Sequence, residues 1–345
     1  MNYIRGRNSV AFIFGFSIYL IHIVTLVISG GNFKCLPNIS QKCQCRSDLA
    51  HISLACWGNN GNISVKVETK FIRLAGIVNR LIINCTNEIH DNHDLTDLLT
   101  NLITDLDTNG RPLALQLHSC STLNSALSIR KILINDPKNL RYLTIGQNEL
   151  LTTLSKDIFS NIKSKLWRLD LSDNKLTNLS DQILIGQFKL WKLNLNNNAF
   201  KTLPENIFKT QTNLTWLYIK QNKLIALPEN IFNYQIKLRF LNASRNFLEI
   251  LPAGIFRHTI NLSIVDLSEN RLISLPENIF QHIKLKILRL DGNHLIALPD
   301  RLFINQPYLN LRRNNLEILF GNNRSSVGAD GMTNRNMASK SKFVN

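Results

Sequence analysis

The amino-acid sequence predicts a repeat solenoid of the α/β type. Each repeat contributes one short parallel strand to a curved horseshoe whose convex side is mostly irregular. Three observations carry this expectation. Asparagines recur at 148, 174, 198, 222, 246, 270, 293 and 314, in steps of 26, 24, 24, 24, 24, 23 and 21 residues. Apolar residues stand at fixed offsets from each Asn, as in LWKLNLNNNAFKTLPENIFKTQTN from Leu190 and LTWLYIKQNKLIALPENIFNYQIK from Leu214. The chain is 44% hydrophobic and 19% charged, too apolar for disorder, and it has too little Gly and Pro for a low-complexity chain.

Taking Asn as zero, the apolar positions are −8, −5, −3, +2 and +5, with Pro at +6 in most units and Phe at +10 (Phe208, Phe232, Phe256, Phe280, Phe303). The residues at −5 and −3 alternate with period two, which specifies a short strand with one buried face. The Asn sits where the chain turns out of the strand, and its amide can both donate to and accept from backbone groups that the turn leaves unpaired. Pro at +6 needs no donor there and stiffens the return path. Phe at +10 fills the wider convex side, where successive rings can stack. No unit can bury its apolar face alone, so the units form one cooperative array.

The N-terminus bears Arg5 and Arg7, then the apolar run Val10–Ile28, then Ser29, Gly30 and Gly31. This pattern specifies a secretory signal over residues 1–31, with an uncleaved signal-anchor as the alternative. The rest of the chain is then extracellular, or held at the cell surface by that anchor. Sequons at Asn38, Asn62, Asn84, Asn178, Asn213, Asn242, Asn261 and Asn323 fit this compartment. All six cysteines precede residue 121, and Cys35, Cys43, Cys45 and Cys56 have the spacing C-x7-C-x-C-x10-C. In an oxidising compartment such a cluster reads as disulfides that staple a cap over residues 32–56; zinc is the alternative. Cys85 and Cys120 form a third disulfide or are two buried thiols. Residues 57–139 read as degenerate or irregular repeats, 140–320 as about eight regular ones, and 321–345 as a disordered basic tail.

The units resemble leucine-rich repeats of the 24-residue extracellular type, as in Toll-family receptors, Slit-like proteins and small secreted repeat proteins. The resemblance covers Leu140–Leu319 and extends to the N-terminal cysteine-rich cap, where it implies the pairs Cys35–Cys45 and Cys43–Cys56. It further implies recognition of a protein partner in innate immunity, adhesion or receptor signalling. The family's C-terminal cysteine cap has no counterpart here. The expectation is therefore either a self-capping last repeat or a truncated receptor ectodomain acting as a decoy.

Catalytic motifs are missing. Asp105-Leu-Asp107-Thr-Asn109-Gly110 opens like a calcium loop but has Gln116 where the bidentate Glu belongs. In His90-Asp-Asn-His93-Asp94 the two histidines have no helix and no evident third ligand at metal spacing, and His118 beside Cys120 is not a dyad by adjacency. The expectation is a non-enzyme with no metal and no cofactor.

Positions −6, −4 and −2 should face outward on the concave side. There Trp216, Tyr218, Lys220 and Phe240 fall in two adjacent repeats, ringed by Lys192 and Arg245, with the composition of a protein-binding hot spot. Asn213 and Asn261 precede the −8 Leu, where a glycan costs little, so these two, with Asn178 and Asn62, are the expected glycosylation sites. Asn242 stands at −4 beside Phe240 and is expected to be bare if the concave patch binds. The net charge of +16 falls to +11 once two charges of the signal and three of the tail are removed. Such a basic body admits a second reading, binding of heparan-type glycosaminoglycan in the extracellular matrix. The basic residues appear scattered along the sequence, and no specific nucleic-acid reader is evident.

Overall fold

The computed structural model describes residues 9–11, 27–29, 32–34, 43–48, 51–58, 61–72, 76–86, 113–118, 133, 139–162, 165–299, 302 and 308–316, with only the backbone course of the strands before residue 114. The chain divides into two compact units, Met1–Leu150 with Asn161–Ser164, and Leu151–Ser160 with Lys165–Asn345.

In the first unit β1 (Ser9–Ala11), β2 (Val27–Ser29) and β3 (Asn32–Lys34) form a small antiparallel sheet. Next come β4 (Cys43–Asp48), β5 (His51–Gly58), β6 (Gly61–Ile72) and β7 (Gly76–Thr86), joined as successive antiparallel hairpins. The sequence of β6 alternates through Ile63, Val65 and Val67 against Ser64, Lys66 and Glu68, the period of a sheet with two unlike faces. The pairing then changes sense: β8 (Leu113–His118) lies parallel to β7, and β9 (Leu140–Gly146) parallel to β8. The expected signal and tail fall outside the described residues, apart from the strands at 9–11 and 27–29. So do Cys35, Cys120 and all cysteine side chains.

The second unit is a parallel-strand solenoid of seven turns with little helix. Its strands are β10 (Arg168–Asp170), β11 (Lys192–Asn194), β12 (Trp216–Tyr218), β13 (Phe240–Asn242), β14 (Ile264–Asp266), β15 (Ile287–Arg289) and β16 (Leu309–Asn310). Each pairs in parallel with the next, in a register that matches equivalent repeat positions. The central residue of every three-residue strand (Leu169, Leu193, Leu217, Leu241, Val265, Leu288) is buried, and so are the residues at −8 and −3. Burying such a side chain contributes roughly 1.5–3 kcal/mol.

Polar ladders stitch the turns together. Asn222 Nδ2 donates to Leu195 O of the preceding repeat at 2.9 Å and to Ile219 O and Lys220 O of its own. Its Oδ1 accepts from Phe200 N at 3.3 Å. Asn198, Asn246, Asn270, Asn293 and Asn314 repeat the pattern of donation to the preceding repeat. On the convex side Phe208, Phe232, Phe256 and Phe280 stack with centroids 6.3, 6.1 and 5.4 Å apart. The carbonyls of Pro204, Pro228, Pro252 and Pro276 each accept a turn hydrogen bond from the residue three positions on.

Two further columns are regular. At −11 stand the buried Gln187, Gln211 and Gln235, whose Nε2 atoms donate to Phe159 O, Leu184 O and Phe208 O of the preceding repeat. At −1 every repeat turns through the left-handed region: Gln147, Asp173, Asn197, Gln221, Arg245, Glu269 and Arg313 have φ of 54–59°, and Gly292 has 67°. A Cβ on Gly292 would meet Glu269 Cγ at 3.3 Å, which makes glycine the easy occupant there.

Candidate binding face of the repeat sheet

Parallel register turns the outward positions into rows. The −6 row runs Arg168, Lys192, Trp216, Phe240, Ile264, Ile287, passing from cationic through aromatic to aliphatic. Beside it the −4 row runs Asp170, Asn194, Tyr218, Asn242, Asp266, Arg289.

Most polar groups on this face are consumed by the face itself. Asp170 Oδ1 accepts from Ser172 N and Oγ at 3.0 and 2.7 Å. Asn242 Oδ1 does the same for Ser244, and Asp266 Oδ1 for Ser268. Asn194 and Asn310 hold the N–H at −2 in the same way. Neighbouring repeats are cross-linked as well, by Asn194 Nδ2 on Asp170 Oδ2 at 3.0 Å and Asn310 Nδ2 on Asp291 Oδ1 at 2.9 Å. Arg289 lies 3.7 Å from Asp266. These are Asx-type turns, in which a short polar side chain bonds its own backbone two residues on.

The pattern breaks at Tyr218. A ring cannot accept from Lys220 N, and Asn196 Oδ1 of the preceding repeat takes that donor at 2.7 Å instead. In the space so altered, three rings pack together. Trp216 and Phe240 stack at 5.0 Å, Tyr218 and Phe240 lie 4.9 Å apart with a 39° tilt, and Trp216 and Tyr218 are 6.5 Å apart. All three are half-buried, since each leans on its neighbours but keeps solvent on its outer side.

Lys192 Nζ stands over the Tyr218 ring at 4.8 Å. Burial and the nearby Arg168 guanidinium hold the Lys192 ammonium below its ordinary pKa, against the opposing pull of Asp170. Burial pushes the Tyr218 phenol up, and Arg168 works against that. Arg168, which the sequence did not single out, is therefore part of the site's electrostatics; its guanidinium stands 6.0 Å over Trp191.

Of the residues grouped from sequence, the structure brings together Trp216, Tyr218, Phe240 and Lys192. Lys220 lies in the same repeat at −2. Arg245 occupies the left-handed −1 position, and its guanidinium is bound to Glu269 at 3.0 and 3.3 Å. Asn213 and Asn261 lie before their strands, donating to Phe188 O and Ile236 O at 2.9 Å. Asn178 is exposed after its strand, and the Asn62 side chain is outside the described residues. No metal-ligand cluster occurs among the described residues, and none of their helices is long and apolar enough to cross a membrane.

The leucine-rich repeat family matches residues 138–200 and 236–295, blocks that flank β12. No curated protein matches the chain in sequence. Among solved structures, a TLR13–ssRNA13 complex is 24% identical, with a TM-score of 0.58 over 68% of this chain and 33% of that one. A leucine-rich repeat protein of Leptospira interrogans is 28% identical, with a TM-score of 0.52 over 67% of this chain and 60% of that one. The chain thus spans between a third and three fifths of the length of these solved chains. With the Asn ladder, the stacked Phe column and the in-register strands, these likenesses show that the second unit has the fold of a leucine-rich repeat solenoid, and residues 138–200 and 236–295 are the stretches that match the family.

Proposed function

We propose that the outer face of the repeat sheet recognises a protein partner through Trp216, Tyr218 and Phe240, with Lys192 and Lys220 beside them. The chain is, in this reading, a non-enzymatic secreted or cell-surface module of immunity, adhesion or receptor signalling. One observation carries it: a sheet face whose polar groups largely satisfy each other is interrupted at Tyr218 by three packed aromatic rings with a lysine over one of them. Large, rigid, half-buried rings lose little conformational freedom on binding and bury much area, which is why they dominate interface energetics.

The compartment has its own support. Cys43 stands directly opposite Cys56 in the antiparallel β4–β5 register. That backbone placement suits a disulfide, whose Cα separation of roughly 4.4–6.8 Å includes both pair spacings of an antiparallel ladder. Glycans at Asn178, Asn213 and Asn261 would leave the aromatic face open, whereas one at Asn242 would cover it.

The test is affinity capture from extracellular fluid with the full chain against a Trp216→Ala/Phe240→Ala variant. Each truncation is expected to cost about 2 kcal/mol or more in binding. Equal capture by the two chains moves the site off this face, as does full glycan occupancy of Asn242 in peptide mapping.

A further inference from the structure

A second surface of the same unit is set apart by charge. Just before each strand the chain climbs from the convex turn to the sheet, over residues 185–191, 209–215, 233–239, 257–263 and 281–286. None of these segments contains Asp or Glu. Carboxylates lie elsewhere, among them Asp170, Asp266 and Asp291 on the sheet face, Asp173 and Glu269 at −1, and Glu205, Glu229 and Glu277 in the convex turns. The flank carries Lys165, Lys189, Lys237 and Lys284 at −9, with Arg239 and Lys286 at −7; all but the half-buried Lys165 are exposed.

Backbone hydrogen bonds hold these segments in line. Thr215 N donates to Trp191 O, Arg239 N to Thr215 O, Ser263 N to Arg239 O, and Lys286 N to Ser263 O. Successive −9 residues therefore advance by about one strand spacing, and Lys165 to Lys284 extends over about 24 Å. Between the lysines the column holds Asn213 and Asn261; Lys237 Nζ donates to Asn213 Oδ1 at 2.7 Å. With no carboxylate along the line, the positive potentials add and are not cancelled locally.

We propose that this flank binds a linear sulfated polysaccharide, independently of the aromatic face. A row of cations that repeats with the solenoid suits an extended polymer of regular charge over a compact partner. The rings of the strip gather at one end, where half-buried Trp167 and Trp191 stand at −7 and exposed Phe188 at −10, with Lys165 Nζ 5.9 Å over Phe188 and the Arg168 guanidinium 6.0 Å over Trp191; Tyr234 lies two repeats further on, so bases find no continuous row of rings along the lysines. Since Asn213 and Asn261 are sequons within the row, an N-glycan on either stands between two of the lysines. Occupancy of these two sites then determines whether the polymer can lie down.

The test is retention of the full chain on immobilised heparin, read as affinity against salt. Lys189→Glu/Lys237→Glu/Lys284→Glu is expected to lower affinity on the order of tenfold or more at physiological salt. Lys175→Glu/Lys201→Glu/Lys223→Glu makes the same change in net charge on the opposite flank and is expected to leave affinity within about twofold. Circular dichroism checks that both variants fold. An equal fall in both variants, or none in either, overturns the proposal, and so does tighter binding of a single-stranded oligonucleotide of equal charge. Thr215→Val/Ser263→Ala removes both sequons and keeps both asparagines. In chain secreted from glycosylating cells it is expected to bind heparin more tightly than the parent. Equal binding when both parental sites are mapped as occupied also refutes the proposal.

Discussion

A single Asn in each repeat joins two turns, and the cost of removing it can be counted. In Asn246→Ala, Leu224 N loses its acceptor, and Ile219 O and Ala243 O each lose the Asn donor, all in a buried place. The expected destabilisation is about 2–4 kcal/mol in urea unfolding. Asn314 makes the same bonds in a partly buried place at the end of the described array, and Asn314→Ala should cost clearly less. Lys192 yields a prediction of another kind. Its ammonium is disfavoured by burial first and by Arg168 second, so it should titrate below 10.5 in a carbon-13 lysine NMR titration. Arg168→Gln should move it only part of the way back. The sign for stability follows: a cation with a lowered folded pKa is destabilising wherever it is charged, so this penalty is present below the folded pKa and is relieved as pH rises towards the unfolded value.

At the scale of the element, the convex Phe stack distinguishes interior from edge. Phe232 has a ring on both sides and is fully buried, whereas Phe280 is stacked on Phe256 alone among the described rings. Phe232→Ala is expected to cost about 3–5 kcal/mol, and Phe280→Ala less, in the same unfolding assay. The strands, the Asn ladder and the Phe column were legible in the sequence because each puts one residue type at one offset, and burial permits few substitutes there. The Asx turns at −4 and −2 recur in most repeats (D-x-S, N-x-N, N-x-S, D-x-S), but those positions were read only as exposed surface. The −11 Gln ladder left a weaker trace, since Thr259 replaces Gln in one repeat, and after the 23-residue step the equivalent place, with its N–H on Phe280 O, is taken by Ile283 at −10. The three rings were legible as a group because strand register could be inferred from the Asn spacing. Arg245 was grouped with them by its place in the chain, which does not reveal its pairing with Glu269 of the next repeat. The antiparallel hairpins of β4–β7 have no 24-residue period, and strand-like runs such as RLIIN at 80–84 in β7 were the trace they left.

Across the whole second unit, stability is a sum of near-identical joints, each turn bonded to the one before it. Such an array opens from its ends. Hydrogen exchange should be slowest at central amides such as Leu195 N, bonded to Tyr218 O, and Ile219 N, bonded to Asn242 O. It should be faster at Leu290 N and Gly292 N, bonded to Asn310 O and Arg312 O of the last described strand. Uniform protection from β11 to β16 would contradict this picture.

The −1 column fixes backbone geometry and leaves side-chain identity open: within one chain it holds Gln, Asp, Asn, Arg, Glu and Gly. Each non-glycine occupant costs roughly 1 kcal/mol of backbone strain, so Gln221→Gly should be tolerated or mildly stabilising. Chemistry can therefore be written along this edge at intervals of one strand spacing, by engineering as readily as by mutation. A row of cysteines placed there for spectroscopic labels would make a molecular ruler whose divisions are set by the main chain.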